Sequence, residues 1–534
     1  MNMLLKIYFN LSILLIGDSL LDYRYMHTYF LDMASTASRL DPDKIAVIDY
    51  SWGSREQYTY LDMNRFSENI AIMLDRLGIN KGDRVSVLSY NNVEYLATYL
   101  AMPKKGAILA PLSWRASYRE LAFMIDDVEP KVVIVHSDFQ DLLNKALEIS
   151  RHKPRMVNIE ELRGLHREEP VGQYRRASVG ETDINMLLYT GGTTGGLKAA
   201  MIPYRQVIWN AFNTIISWGL GPIDIAPVFF PFFHTGGWHV ITIPLYIVRG
   251  TTVLTKRFDP DEAIEIIERE RCTVVIAVPT MFHLISKSPR FKESSFKSVR
   301  FFKSGGGMSP HSLVKIYWDK GVKYFQGYGL TEAGPNLLYT PEKDMLDKPM
   351  SVGKPGFFVE IRVVRDDGSD AQPGEVGELL VRGPLVFSGY WRRSEETARV
   401  FTPDGWLRTG DLFTVDKDGH LYFVERKKFM IKSGGENIYP SEVEEALRSH
   451  PGVEDAAVFG IPDPKWGEAV AAVVKPREGV HIDPVSIREY LRGKIARYKI
   501  PKYIWVVDEI PKTAVGKTDY MCLRKKYGDV TQNV

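Results

Sequence analysis

Leu188-Tyr-Thr-Gly-Gly-Thr-Thr-Gly-Gly-Leu-Lys198 packs four glycines, three threonines and a lysine into eleven residues, directly after the apolar run Met186–Tyr189. Glycines let successive backbone N–H groups point one way, threonine hydroxyls add donors or a metal contact, and the lysine adds a fixed charge. Such a stretch can cradle a polyphosphate. It is not the common phosphate loop, which ends in Gly-Lys-Ser/Thr. Here Leu197 separates Gly196 from Lys198 and Ala199 follows, so no hydroxyl stands where that motif places its magnesium ligand. A glycine-rich loop is also compatible with an ordinary connection, so the segments on either side carry the decision.

Around this loop, short apolar runs alternate with helical patterns, as expected for α/β layers. Val85–Leu88, Val132–His136, Val274–Val278, Val299–Phe302 and Val322–Phe325 read as strands. Asn64–Leu77 carries apolar residues near helical spacing and stops before Gly78. Val359–Val364 and Glu375–Val381 read as an antiparallel meander. The best linker is Asp416–Lys428: a turn, a short strand, then a basic cluster. Beyond it, Ser441-Glu-Val-Glu444 reads as a capping box opening a helix to about Ser449. Strands Ala456–Phe459 and Ala469–Val474 and a helix over Pro484–Arg497 complete a small α/β unit. The expected architecture is a large multi-subdomain N-terminal domain of α/β layers over residues 1–427. A small mobile C-terminal cap follows over residues 428–534.

Composition is that of a globular protein able to bury a large core: 534 residues, 45% hydrophobic, 25% charged. A net charge of +2 excludes a general electrostatic case for nucleic acid or anionic membrane. The two cysteines, Cys272 and Cys522, match no metal or redox spacing, which fits a reducing, cytoplasmic setting. The apolar run Ile7–Ile16 is shorter than the roughly 20 residues a membrane helix needs. It lacks a cleavage-site pattern, so a docked helix or an upstream start codon is the expected explanation.

Four further segments accompany the loop. They are Gln326-Gly-Tyr-Gly-Leu-Thr-Glu-Ala-Gly-Pro335, Gly405-Trp-Leu-Arg-Thr-Gly-Asp-Leu412, Glu425-Arg-Lys-Lys-Phe-Met-Ile-Lys-Ser-Gly-Gly-Glu-Asn-Ile-Tyr-Pro440 and Pro511-Lys-Thr-Ala-Val-Gly-Lys517. In this order they resemble the adenylate-forming enzymes: acyl-CoA synthetases, adenylation domains of peptide synthetases, and luciferases. The resemblance runs from about Tyr29 to about Tyr527. It implies a carboxylic acid activated by ATP as acyl-AMP, with release of pyrophosphate, followed by transfer to a thiol.

That chemistry is mostly positioning and charge neutralisation. By resemblance, Thr190, Gly191, Gly192, Thr193, Thr194, Gly195 and Lys198 hold the leaving phosphates, and Glu332 and Thr190 contact Mg2+, a hard cation taking oxygen ligands. Ser304-Gly-Gly-Gly307, including Gly305 and Gly306, lets backbone approach the adenine, with Gln326, Gly327 and Tyr328 opposite and Thr331 in the same motif. Tyr328 offers a stacking face. Asp411 accepts from the ribose hydroxyls and Arg426 donates to ribose or α-phosphate. Lys517 is the expected catalytic cation, bridging carboxylate and α-phosphate, with His234 and Glu332 beside it. Lys428 falls at the family's hinge. Lys432, Ser433, Gly434 and Gly435 fall on the pantetheine path used after the cap rotates.

For the acid, Phe230-Pro-Phe-Phe-His-Thr-Gly-Gly-Trp-His239 resembles the wall of the acyl pocket. His234, Trp238, Ser304, Gly329 and Ala333 are its expected lining. Trp238 matches a tryptophan that gates the fatty-acyl tunnel in long-chain members. Gly329 stands where acetate-specific relatives carry a closing tryptophan, which leaves the cavity open. Medium- to long-chain fatty acids are expected first, aryl or hydroxy acids second. Coenzyme A is the expected acceptor; a free-standing enzyme loading a carrier protein is the alternative, and dimers are frequent in the family. An inactive nucleotide-binding descendant would be expected to lose Lys517, Glu332 or Asp411, and all three are present.

Overall fold

The computed structural model describes residues 31–191, 197–433, 436–463, 466–492, 494–513 and 517–528. The expectations for the N-terminal segment, for Gly192, Thr193, Thr194 and Gly195, and for Gly434 and Gly435 lie outside the described residues.

Two large sheets form the bulk of the molecule. One has six strands in the order 155–158, 132–135, 84–88, 108–111, 184–191, 197–203. The other has seven, in the order 324–326, 301–304, 274–277, 225–228, 251–254, 45–49, 56–59. Most neighbours are parallel, each sheet ending in one antiparallel pair. Such strands are covered on both faces and read as continuous apolar runs. That is why Val132–Val135 and Val274–Ala277 are legible, and both are buried throughout.

The strands expected at Val299–Phe302 and Val322–Phe325 begin two residues later, as Phe301–Ser304 and Tyr324–Gln326. Each shift brings a buried polar residue into the strand, Lys303 and Gln326, which hydropathy does not anticipate. The helix expected from Asn64 begins at Tyr60. Thr59 and Asp62 form a reciprocal capping box, and Met63, Phe66, Ile70, Ala71 and Leu74 turn inward. Cys272 is fully buried, as its apolar run implies.

A four-stranded antiparallel sheet follows: 360–364, 377–382, 407–415 and 421–426. The expected linker is corrected here. Asp416–Gly419 is the turn of the last hairpin and Leu421–Arg426 its returning strand, so only the turn at Lys427–Met430 lies between this sheet and the next. The smaller C-terminal domain has its own sheet. Gly467–Pro476 pairs with Val453–Asp463 on one side and with Ile431–Ser433 and Tyr503–Val506 on the other. Ile431, Val443, Leu447, Val458, Ala472 and Ile504 belong to a separate core under it.

Two details of this domain differ from expectation. Ser441 makes no capping box; the helix Pro440–Arg448 opens on proline, and Ser441 is used elsewhere. The helix expected to reach Arg497 ends at Leu491. No helix among the described residues is long and apolar enough to cross a membrane.

Candidate active site

The glycine- and threonine-rich stretch begins and ends in paired strands. Ile184–Gly191 runs antiparallel to Leu197–Pro203, with Thr190 opposite Lys198 and Gly191 opposite Leu197. Pairing of the stems therefore holds the threonine hydroxyl and the lysine ammonium at the base of the same loop. Lys198 is ion-paired with Glu396 and lies 5.4 Å from the centre of the Tyr390 ring. Tyr390 donates its hydroxyl to Glu332 Oε1 at 3.0 Å. Thr190, Lys198 and Glu332 thus converge through Tyr390 and Glu396, two residues the sequence reading missed. Gly389-Tyr390-Trp391, an aromatic pair behind a glycine of positive φ, was the available signal.

Glu332 keeps its second carboxylate oxygen outside that bond. Among the described residues no cluster of three or more His, Cys, Asp or Glu side chains could form an all-protein metal cage. This donor set is compatible with Mg2+ taken mainly by substrate phosphate oxygens, and Glu332 and Thr190 are the residues that would hold it.

The residues expected to form a nucleotide slot lie at or beside strand ends. Gly306 has φ +74° and its backbone opens the turn after Phe301–Ser304. Gln326 is buried, accepting from Ser309 N–H at 2.7 Å and donating to Pro349 O at 3.2 Å, so it shapes the slot from behind. Ser304 also faces inward, accepting from the Ser309 hydroxyl at 2.9 Å. It belongs to a hydrogen-bonded cluster, not to an open acyl wall.

Tyr328 does more than offer a face. Its hydroxyl donates to Asp411 Oδ2 at 2.6 Å, while Arg426 Nε lies 3.1 Å from Asp411 Oδ1. Asp411 and Arg426 are cross-strand partners in the antiparallel sheet, which fixes their approach. Burial pushes the Asp411 carboxyl above its ordinary value, and Arg426, Tyr328 and then Lys517 pull it back.

Lys517 is held by a tight loop in which Thr513 N–H donates to Lys517 O at 2.6 Å and Lys517 N–H donates to Thr513 Oγ1 at 3.2 Å. Its side chain reaches the same cleft. Desolvation first, then the Arg426 cation, draws its ammonium down to about 8, with Asp411 opposing. Lys517 is exposed, so the cleft is open to water at this residue. His234 feels the Lys517 charge as well. Burial and that charge lower its imidazole to about 4, so it is neutral at physiological pH. Lys517, Asp411, Arg426 and His234 are therefore brought together from four separate segments.

The acyl-wall residues divide. His234 is part of the cleft. Ala333 is fully buried. Trp238 is also fully buried, with its ring 4.0 Å from Phe232 at 13° and 4.9 Å from Tyr99 at 29°. Its indole N–H bonds the Phe232 carbonyl within a π-helical turn, Gly236–Val240. A side chain so packed is core, and the gate expected of it is corrected accordingly. Gly329 has a different reason from the one expected. A Cβ there would lie 2.2 Å from the Pro335 carbonyl carbon and oxygen, so the strand pair 328–330 and 334–339 closes only over glycine. The missing side chain serves backbone approach, not an open cavity.

Helix Tyr204–Trp218, which the sequence reading did not single out, ties these parts together. Gln206 donates to Thr331 O at 2.8 Å, Asn210 to His239 O at 2.7 Å and Asn213 to Asn336 O at 2.7 Å. All three amides are buried, so the acid-side turn and the Thr331-Glu332 motif are braced by one helix face.

Lys303 is the other unforeseen residue. Its ammonium nitrogen is buried without a hydrogen-bond partner, 4.5 Å from the Trp218 ring centre and 5.2 Å from that of Phe325. It fills the space a side chain on Gly327 would need, with Nζ 2.7 Å from that Cβ position. Desolvation lowers it to about 7, whereas an unfolded lysine titrates near ~10.4. The unfolded chain therefore binds the proton more tightly, and stability is lost as pH falls from the unfolded toward the folded value. Lys303→Met, similar in length and needing no partner, is expected to raise Tm by several degrees at neutral pH and by much less near about pH 9.5. Thermal melts at the two pH values check it.

On the C-terminal side of the turn, Lys432 and Ser433 lie on the strand Ile431–Ser433, with Lys432 N–H donating to Glu468 Oε2 at 2.8 Å. No described contact joins them to the Lys517 cluster. Lys428 sits in the connecting turn, where Phe429 N–H donates to Arg426 O at 2.8 Å. Ser441 donates its N–H to Glu425 Oε2 at 3.0 Å and its hydroxyl to Val424 O at 2.7 Å, across that turn.

Likeness to known proteins agrees with this geometry. The model for AMP-binding enzymes matches residues 35–391, and that for the AMP-binding enzyme C-terminal domain matches residues 442–517. A feruloyl-CoA synthase of Amycolatopsis is 38% identical over 88% of this chain and 94% of its own. An indoleacetate–CoA ligase of Aromatoleum aromaticum is 36% identical over 90% and 94%. The long-chain-fatty-acid–CoA ligase FadD13 of Mycobacterium tuberculosis is 34% identical over 88% and 93%. Among solved structures, ATP-bound MatB of Rhodopseudomonas palustris superposes with a TM-score of 0.85 at 30% identity, covering 93% of this chain and 99% of that one. Apo MatB gives 0.74 at 29% identity, covering 94% and 99%. The o-succinylbenzoate CoA synthetase of Bacillus subtilis with ATP and magnesium gives 0.81 at 29%, covering 91% and 98%.

Proposed function

Because the chain belongs to the AMP-binding enzyme family and is an AMP-forming ligase of the acyl- or aryl-CoA class, we propose that it joins a compact aryl or arylalkanoic acid to coenzyme A. The convergence of Lys517 with Asp411, Arg426 and His234 carries the ligase reading. The acid class is supported by Trp238, which is locked in the core beside the acid-side turn, and by the feruloyl and indoleacetate relatives. A medium- to long-chain fatty acid is the second reading, favoured by FadD13.

The steps follow from the residues. Thr190, Lys198 and the loop between them hold the β- and γ-phosphates, and Tyr390 orients Glu332 beside them. Mg2+, when bound by Glu332 and Thr190, neutralises phosphate charge. Asp411, aligned by Tyr328 and Arg426, takes the ribose hydroxyls. Lys517 lies between the incoming carboxylate and the α-phosphate and offsets their repulsion as the carboxylate oxygen attacks phosphorus and pyrophosphate leaves. His234, neutral, lines the acid's approach without adding charge.

The domain at residues 428–534 then turns about Lys428, carrying Lys517 away and bringing Lys432, Ser433, Gly434 and Gly435 to the thiol path. The greater likeness to ATP-bound than to apo MatB supports reading the present arrangement as the adenylating one. A pyrophosphate-release screen over cinnamic, arylacetic and fatty acids, with and without coenzyme A, tests the acid and the acceptor together. Release without a coenzyme A-dependent thioester would favour a carrier-protein acceptor.

The first half-reaction should depend on pH through Lys517. Its ammonium is the working form, so kcat/KM for pyrophosphate release is expected to hold at neutral pH and fall as pH rises through about 8. His234, already neutral, should add no limb near its ordinary value. A profile flat to well above pH 9 would show that the free enzyme does not lower the Lys517 ammonium, and the role itself is tested by Lys517→Ala.

A further inference from the structure

Lys198 stands at one end of an alternating series of charges. It pairs with Glu396 Oε2, and the other oxygen of that carboxylate, Oε1, lies 3.7 Å from Arg393 Nε. Arg393 in turn reaches Asp127 Oδ1 at 3.1 Å, and Asp127 Oδ2 accepts from the Tyr189 hydroxyl at 3.1 Å. Tyr189 precedes Thr190, the residue paired with Lys198 across the two strands. The series therefore returns to the site it starts from. Asp127 is buried, whereas Glu396 is partly exposed.

Backbone bonds fix the segment bearing Glu396 against the lysine's own strand. Trp391 N–H donates to Ala199 O at 2.8 Å, Met201 N–H to Gly389 O at 2.9 Å, and Tyr390 N–H to Thr397 Oγ1 at 2.9 Å. None of these involves the Glu396 side chain, so its carboxylate is presented to Lys198 by the fold. An ammonium has three donors but a single charge. A phosphate and a carboxylate crowded on it repel each other, and each weakens the other's hold. Glu396 does not go unpaired when the lysine turns to a phosphate, because Arg393 remains on its other side. The contact is therefore reversible: polyphosphate draws Lys198 away, and the carboxylate recovers it when pyrophosphate departs.

We propose that Glu396 competes with the β- and γ-phosphates for Lys198 and so loosens the hold on pyrophosphate. It is a positioning residue, acting on the phosphates through the lysine. This rests on the reading above that places those phosphates at Thr190 and Lys198.

Calorimetric titration of the full chain with magnesium pyrophosphate, MgATP and AMP tests this without need of an acid. Glu396→Gln removes the charge and keeps the side chain's size. It is expected to tighten pyrophosphate and ATP by about 2- to 5-fold, the scale of a partly exposed ion pair. AMP carries neither phosphate, so its affinity should stay unchanged. The gain should shrink as ionic strength rises and should vanish in a Lys198→Gln background. Weaker pyrophosphate binding in Glu396→Gln would make the carboxylate a holder of Lys198 and overturn the competition. An unchanged affinity would overturn it too, as would a shift shared by AMP or a gain that persists without Lys198. Lys198→Gln alone reads the premise. If it leaves pyrophosphate affinity unchanged, the placement of the phosphates falls, a failure seen without touching Glu396.

Discussion

Lys517→Ala is expected to lower acyl-AMP formation by about 100- to 1000-fold or more, the scale of removing one preorganised charge from a transition state. Conversion of supplied acyl-AMP and coenzyme A to thioester should stay within a few-fold. The asymmetry follows from position. The ammonium shares the cleft with Asp411, Arg426 and His234, where the first reaction occurs, and it is mounted on the domain proposed to turn away before the second. Its loop is closed by backbone bonds to Thr513 and by Asp519 N–H to Pro511 O, which do not involve the side chain. Truncation should therefore leave the fold intact, as circular dichroism and Tm would show. Removing the cation should also let the Asp411 carboxyl and the His234 imidazole rise, since Lys517 lowers both. Equal loss in the two half-reactions would assign Lys517 a general structural role.

How much of this site could be read from the chain depended on what each residue answers to. Thr190, Lys198, Asp411, Arg426 and Lys517 lie in motifs whose residue types suit phosphate and ribose chemistry, and the fold sets Thr190 opposite Lys198 and gathers Asp411, Arg426 and Lys517. Strands such as Val132–Val135 were legible because burial on both faces demands unbroken apolar runs. Lys303 and Gln326 displaced two strand boundaries because both are buried polar residues, Lys303 against the Trp218 and Phe325 rings and Gln326 in hydrogen bonds to Ser309 and Pro349, which hydropathy does not anticipate. Ser441 was misread as a local cap because its donors cross the interdomain turn, a contact invisible to local pattern. Gly329 and Trp238 were given pocket roles by analogy, yet backbone approach and aromatic packing account for them here. Tyr390 and the amides of helix Tyr204–Trp218 touch reacting groups only through other residues, so no motif announces them.

Lys428→Pro should separate the two reactions in the opposite sense. Thioester formation is expected to fall by at least about 100-fold, while pyrophosphate release keeps within roughly an order of magnitude, because proline fixes φ and blocks a hinge rotation. Some cost to the first reaction is expected. Lys427 and Lys428 are the central residues of the turn closed by Phe429 N–H to Arg426 O, and proline at the second central position restrains the residue before it. Other contacts favour the present arrangement. Ser441 grips Val424 and Glu425 across the turn, and Phe429 packs on Tyr520 at 4.8 Å, whose hydroxyl bonds Glu444 Oε1 at 2.7 Å. Rotation about Lys428 must break the Ser441 bonds, because their partners lie on opposite sides of it. Lys428→Ala, which keeps backbone freedom, should support both reactions and shows whether the side chain or the backbone matters. Normal thioester turnover in Lys428→Pro would place the hinge at another residue of Lys427–Met430, or show that the acceptor thiol reaches acyl-AMP without rotation.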